Sequence, residues 1–125
     1  MRHHRIGLWV AICTFSLGAV AAEPADAAHG KELYQNLCSS CHSFPYNGTG
    51  PAHEGVFGRK AGGRNDYPYS DALKAANFNW NEATLDRWLA DPEKMVPGQK
   101  MGGGVPEAQD RADLIAYLKA ESARK

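Results

Sequence analysis

Cysteine is scarce in this chain: the 125 residues hold only Cys13, Cys38 and Cys41, and the last two stand three apart. A scaffold stapled by several disulfides is thereby excluded. Net charge is missing as well. Fourteen Lys and Arg balance fourteen Asp and Glu, so no basic stripe is available to neutralise phosphates, and nucleic-acid binding is disfavoured. No apolar run reaches the roughly 20 residues that a membrane-spanning helix requires. No strict apolar–polar alternation marks a strand, and no internal repeat marks a solenoid. What is present is ordinary: 43% apolar and 10% aromatic residues, too many for a solvated tail and enough for one globular domain.

The first 22 residues read as a leader. Arg2, His3, His4 and Arg5 form a positive start, residues 6–19 an apolar stretch, and Val20-Ala21-Ala22 a small-residue cleavage site before Glu23, the pattern of a secretory signal peptide. An uncleaved anchor is the alternative. Cys13 lies inside the apolar stretch and leaves with it. The mature chain, residues 23–125, is then a single domain of 103 residues with 12 basic and 14 acidic side chains, a formal charge of −2. A domain of that size buries only about 60–65% of its unfolded surface, so a bound group that enlarges the core would help it.

Along the mature chain, residues 29–37 carry Leu33, Tyr34 and Leu37 on one side and Lys31 and Glu32 on the other, which predicts a helix ending near Cys41. Residues 43–69 are rich in Gly and Pro. Irregular stretches longer than about 15 residues are uncommon in compact domains unless the backbone wraps something. Ser70 can cap a short helix through Lys74, and Asn79 with Glu82 resembles a capping box for a helix to Ala90 that Pro92 stops. Leu85, Trp88 and Leu89 share one face of it. A second Gly/Pro loop spans residues 96–105, and Pro106 suits the first position of a last helix with Leu114, Ile115 and Leu118 as its apolar stripe, reaching about Ser122.

The sharpest signal is Cys38-Ser39-Ser40-Cys41-His42. A structural zinc site would need a second ligand pair, and none is spaced for it. A thioredoxin-like redox pair would follow a strand in a βαβ unit, for which no pattern exists. Covalent attachment of a haem needs two thiols set apart to reach two vinyl groups and a histidine directly after them, and this demand is met in full. His42 is then one axial ligand. Candidates for the other are His29, His53, Met95 and Met101. His29 reads as a solvated helix-start residue, His53 as a structural loop residue and Met95 as core filling. Met101 lies in a Gly/Pro loop that can approach a flat ligand, and is the expected choice.

With these residues in view the sequence resembles the class I cytochrome c family, of the soluble mitochondrial and bacterial type, over residues 30–120. Besides the haem motif, residues 50–62 (GPAHEGVFGRKAG) are similar to the family's proximal loop. Pro97-Gly98-Gln99-Lys100-Met101 resembles its methionine loop, and residues 113–118 (DLIAYL) its last helix. The resemblance implies an all-α, small cytochrome c fold of three to five helices, with long loops wrapped around one haem c attached through Cys38 and Cys41. His42 and Met101 are implied as iron ligands, and the Pro51 carbonyl as the partner of the second His42 ring nitrogen. Arg59, Tyr69 and Trp80 stand at positions facing the propionates, and Gly30, Tyr34 and Tyr117 where the first and last helices cross. Without the family, Trp80 would read as a core aromatic and Arg59 as a solvated loop charge.

The chain departs from the pattern at several points. Leu73 stands where asparagine is frequent, Trp88 where tyrosine lies beside the methionine sulfur, Gln99 where threonine is usual and His53 where leucine is common. Three glycines, 102–104, replace a segment that normally includes phenylalanine, and the loop from His42 to Pro51 is short. Glu32 and Glu93 fall at positions commonly held by lysine, with Lys94 and Lys100 nearby. The implied function is one-electron shuttling by an exported, periplasmic monomer. It would meet membrane-bound or periplasmic redox proteins transiently, with no small-molecule substrate, no nucleic acid and no enzymatic turnover. A haem enzyme or gas sensor that displaces Met101 and a haem-free thiol oxidoreductase are the competing readings.

Overall fold

The structure, a computed structural model, describes residues 21–124. The signal-peptide reading rests on residues 1–20, outside the described residues. Five helices follow in order: α1 (Ala27–Leu37), α2 (Asp71–Lys74), α3 (Glu82–Ala90), α4 (Pro92–Met95) and α5 (Ala108–Ser122). The fold is all-α: among the described residues the only β pairing is an isolated bridge between Lys60 and Asn79. No helix among them is long and apolar enough to cross a membrane.

Local chemistry explains the boundaries. Helix α1 begins two residues earlier than the apolar spacing suggests, because the Asp26 carboxylate accepts from the N–H groups of Ala28 and His29 and so supplies partners for two otherwise orphaned donors. It ends at Leu37, short of Cys41. Ser39 donates its hydroxyl to the Gln35 carbonyl at 2.5 Å, a side-chain bond that competes with the helix ladder. The N–H groups of Cys41 and His42 both turn back to the Cys38 carbonyl. Ser70 caps α2 through the N–H of Leu73, as expected. The capping box of α3 is built two residues later than its expected place, by Asn81 and Thr84 instead of Asn79 and Glu82. Pro92 does more than stop α3: it opens α4, with Asp91 closing one helix and capping the next. Pro106 precedes α5, which starts at Ala108.

The core sits where α1 and α5 cross and where α3 packs on α5. Gly30 makes the crossing possible, since a Cβ there would lie 2.0 Å from the Asp113 carbonyl oxygen. Around it, Tyr34, Leu114, Ile115 and Leu118 are buried. The expected apolar face of α3, Leu85, Trp88 and Leu89, is buried as a unit. Leu37, however, expected on the apolar side, is 55% exposed at the last position of α1, whose buried residues are Gly30 and Tyr34. His29 is not merely solvated: its Nδ1 lies 2.7 Å from the Asp113 carboxylate, which also accepts from the N–H of Asp26 at 2.8 Å and from Gln109. A buried acid on α5 thus ties down the start of α1.

Candidate functional site

Both Gly/Pro loops fold over the helical core, anchored by buried side chains such as Val56, Ala61, Val96 and Val105 and shaped by hydrogen bonds. In the first, Asn47 accepts from the N–H of Ala52 and donates to the Asp66 carbonyl, while the Tyr67 hydroxyl donates to the Thr49 carbonyl. In the second, the Val105 N–H donates to the Leu89 carbonyl at 2.6 Å. Between loops and helices lie two adjoining cavities of about 80 and 350 Å³, whose walls share His42, Pro51, Tyr69, Leu73, Trp88 and Met101. Cys38, at the end of α1, lines one cavity, and Cys41 lines the other. The two thiols therefore line the adjoining cavities, one each. Arg59 and Trp80 complete the first cavity, so all nine residues singled out from the sequence as cofactor or iron contacts converge on this pair of cavities.

His42 is the most constrained of them. Its Nδ1 sits 2.8 Å from the Pro51 carbonyl oxygen, which fixes Nδ1 as the protonated nitrogen and leaves Nε2 with its lone pair free. Gly50 makes room for the ring: a Cβ there would lie 2.2 Å from Cε1 of His42. Burial lowers the pKa of His42 below the ordinary histidine value, against the opposing hydrogen bond it donates to Pro51, so the imidazole is held neutral, as a metal ligand must be. The Cys38 thiol is pushed up to about 11 by burial and by the neighbouring Cys41; it rests as a thiol, and neither cysteine is in a disulfide.

Arg59 reaches from the first loop into the cavity wall. Its two terminal nitrogens donate to the carbonyls of Glu54 and Ala52 at 2.7 and 3.0 Å, while its Nε is buried without a partner. A buried N–H of a cation left unmatched is costly. It fits a site that receives a carboxylate. Burial also draws the guanidinium below its ordinary value, without coming near neutralising it. Trp80 and Trp88 meet edge to face at 5.3 Å, and Tyr67 and Tyr69 at 4.9 Å, giving the cleft aromatic walls.

A family profile described as Cytochrome c matches residues 27–122. The chain belongs to the cytochrome c family. Among its relatives, the cytochrome c of Gibberella zeae is 44% identical over 98 residues, covering 75% of this chain and 92% of that protein. The cytochrome c2 of Rhodomicrobium vannielii is 38% identical over 125 residues, covering 97% and 98%. Among solved structures, cytochrome cH from Methylobacterium extorquens superposes with a TM-score of 0.73 at 47% identity, covering 77% of this chain and 99% of that one. This cytochrome c family member is an electron carrier, and family membership implies a c-type haem. The cleft fits that group by its own chemistry: two thiols lining it, an imidazole with a free lone pair, a thioether, and a buried arginine nitrogen suited to a carboxylate.

Sequence reasoning undervalued one residue. His53, read as a structural loop residue, stacks its ring on that of His42 at 4.1 Å with 19° between planes, and its Nδ1 lies 3.1 Å from the Tyr34 hydroxyl. Burial, with the neighbouring His42 and Arg59, holds it well below the ordinary histidine range, so it is a neutral polar ring backing His42. Its place two residues after Pro51 was the available signal, but a loop without periodicity does not tell which side chains face inward.

Proposed function

We propose that the electron is carried on one haem c attached covalently through Cys38 and Cys41, with His42 and Met101 as the axial ligands of its iron. When bound, the haem supplies an iron that alternates between ferrous and ferric, and a soft thioether ligand favours the ferrous form. The carrying observation is the convergence of His42 and Met101 on the same cavity walls, with His42 pinned by Pro51. The chain's own part is to keep both axial positions filled, to exclude water and to meet the propionates with Arg59, Tyr69 and Trp80. Trp88 and Leu73 wall the side near Met101. Because no coordination site is left open, the protein shuttles electrons without turning over a substrate.

The same reading makes the chain an exported, periplasmic monomer of residues 23–125 released from a signal peptide at 1–22. Its likeness to the cytochrome c2, which covers 97% of the chain, extends into that leader and supports this. Its partners are membrane-bound or periplasmic redox proteins met transiently. Glu32 and Glu93 at positions where relatives commonly carry lysine make the docking face less basic, so association rates measured against a redox partner change little with added salt; a steep decline contradicts this.

The attachment is tested by unfolding the haem-loaded protein and weighing it. The parent chain retains the mass of one haem under denaturing conditions, and the Cys38→Ala, Cys41→Ala double variant loses it. A haem that leaves the unfolded parent overturns the reading.

A further inference from the structure

Met101 is poorly anchored on its C-terminal side. It is followed by Gly102, Gly103 and Gly104, and a Cβ placed at either of the first two would touch nothing within 4 Å. Behind the loop lies an open groove of about 250 Å³ that reaches Asp91, Glu93, Gln99, Met101, Gly103 and Gly104. On this side the chain is caught again only at Gly104, where a Cβ would lie 3.0 Å from the Leu89 and Ala90 carbonyl oxygens, and at Val105, whose N–H donates to Leu89, so Gly102 and Gly103 leave slack directly after the methionine.

The N-terminal side is different. Glu93, on α4, accepts the Gly98 N–H at 2.9 Å through Oε1 and the Gln99 side-chain amide at 3.3 Å through Oε2. Gln99 passes the link on, its Oε1 accepting the Met101 N–H at 2.5 Å. Helix α4 is itself fixed, since Asp91 caps it through the Lys94 N–H and Pro92 is buried. Two bonds thus run in series from a rooted helix through Gln99 to the backbone of Met101, with a third, to the Gly98 N–H, beside them.

We infer that Glu93 and Gln99 are positioning residues for Met101, a brace that keeps the methionine on the iron where the triple glycine would otherwise let it leave. The inference rests on the proposed ligation by Met101. It concerns retention of a ligand, and the test reads that directly. Haem-loaded ferric protein at fixed pH and ionic strength is titrated with imidazole, a neutral competitor for the methionine position, following loss of the near-infrared methionine-to-iron band. Loss of bonds of this kind corresponds to roughly a fivefold gain in apparent imidazole affinity for Glu93→Ala, and a similar gain for Gln99→Ala. Because the bonds act in series, the double variant gains much less than the product of the two singles. Glu93→Gln keeps an oxygen for the Gly98 N–H but sets an NH2 group against the Gln99 amide that donated to the carboxylate, so it breaks that link and gains affinity by less than Glu93→Ala but measurably over the parent. Glu32→Ala, which removes a carboxylate away from the loop, leaves the affinity unchanged.

The brace is overturned if Glu93→Ala binds imidazole as the parent does, if Glu32→Ala shifts it equally, or if the two single effects multiply in full. Amide hydrogen exchange separates this failure from failure of the ligation reading. If the parent lacks the near-infrared band, ligation by Met101 has failed and a brace for that ligand falls with it. If the band is present, exchange at Gly98 and Met101 accelerates in Glu93→Ala, and unchanged exchange contradicts the brace.

Discussion

The α1–α5 crossing and the two Gly/Pro loops that face it are built on opposite principles. The crossing is a product of side-chain volume: Gly30 lets the backbones touch, and Tyr34, Leu114, Ile115 and Leu118 close around the contact. The loops also send side chains into the core, Ala52, Val56, Ala61, Tyr69, Val96 and Val105, but beside the cleft their backbone course is set by point contacts, a carbonyl to an imidazole at His42, an amide at Asn47, a carboxylate at Glu93. The difference teaches where each property of the molecule resides. Damage to the crossing is felt as lost stability throughout, whereas damage to the loops is felt at the iron site first.

Paired glycine substitutions break or sharpen that contrast most strongly. Gly30→Ala drives a Cβ to within 2.0 Å of a backbone oxygen on α5, and the helices must part. We expect a loss of about 3 kcal/mol or more, at the upper end of overpacking effects, in urea unfolding of the haem-loaded protein, with little change in midpoint potential. Gly50→Ala places its Cβ at 2.2 Å from the His42 ring. It should cost less stability, about 1–2 kcal/mol, but displace the ring and alter the potential and the iron spectrum. Equal effects of both variants on stability and potential would erase the distinction.

A smaller effect is expected at Leu73, which lines both cavities. An apolar wall disfavours the extra positive charge of the ferric state. Leu73→Asn should therefore lower the midpoint potential by about 20–40 mV, the equivalent of about 0.5–1 kcal/mol for one electron; a potential that stays level or climbs contradicts this. Stability should remain close to the parent's.

The smallest effect is expected from pH at the His29–Asp113 tie. The hydrogen bond to Asp113 raises the pKa of His29 above 6.5. Burial pushes the Asp113 carboxyl up, but hydrogen bonds from His29, the Asp26 N–H and Gln109 outweigh it and hold it below 3.8. The histidine contribution is complete below pH 6.5 and is lost as pH rises through its higher folded value. The aspartate contribution is complete above pH 3.8 and is lost as pH falls through its lower folded value. The tie is thus strongest between these limits, and the stability difference between parent and His29→Gln should shrink on the alkaline side. A difference constant across neutral pH counts against it.

Legibility followed the same division. The apolar faces of α3 and α5 could be read because helical periodicity forces every third or fourth residue inward. Cys38, Cys41 and His42 could be read because two-point attachment demands that spacing. Met101 could be singled out among the candidate ligands because its Gly/Pro loop can approach a flat group, whereas Pro51, Arg59, Tyr69, Trp80 and Trp88 came chiefly from family resemblance, since spacing alone made Arg59 a surface charge. What escaped were pairings that depend on tertiary approach. The capping box shifted because Asn81-x-x-Thr84 satisfies the donors as well as Asn79-x-x-Glu82 would. Asp113 gave no sign that it would be buried under His29. His53 and Glu93 lie in segments without a repeat, where the direction of a side chain is set by the loop's hydrogen bonds.

The central claim, that His42 and Met101 would together hold the iron of a haem in the cleft they both line, is tested most directly by one near-infrared spectrum. The ferric, haem-loaded parent at neutral pH should show a methionine-to-iron charge-transfer band that Met101→Ala abolishes while the haem stays attached. A parent without the band, or a Met101→Ala protein that keeps it, would contradict the account.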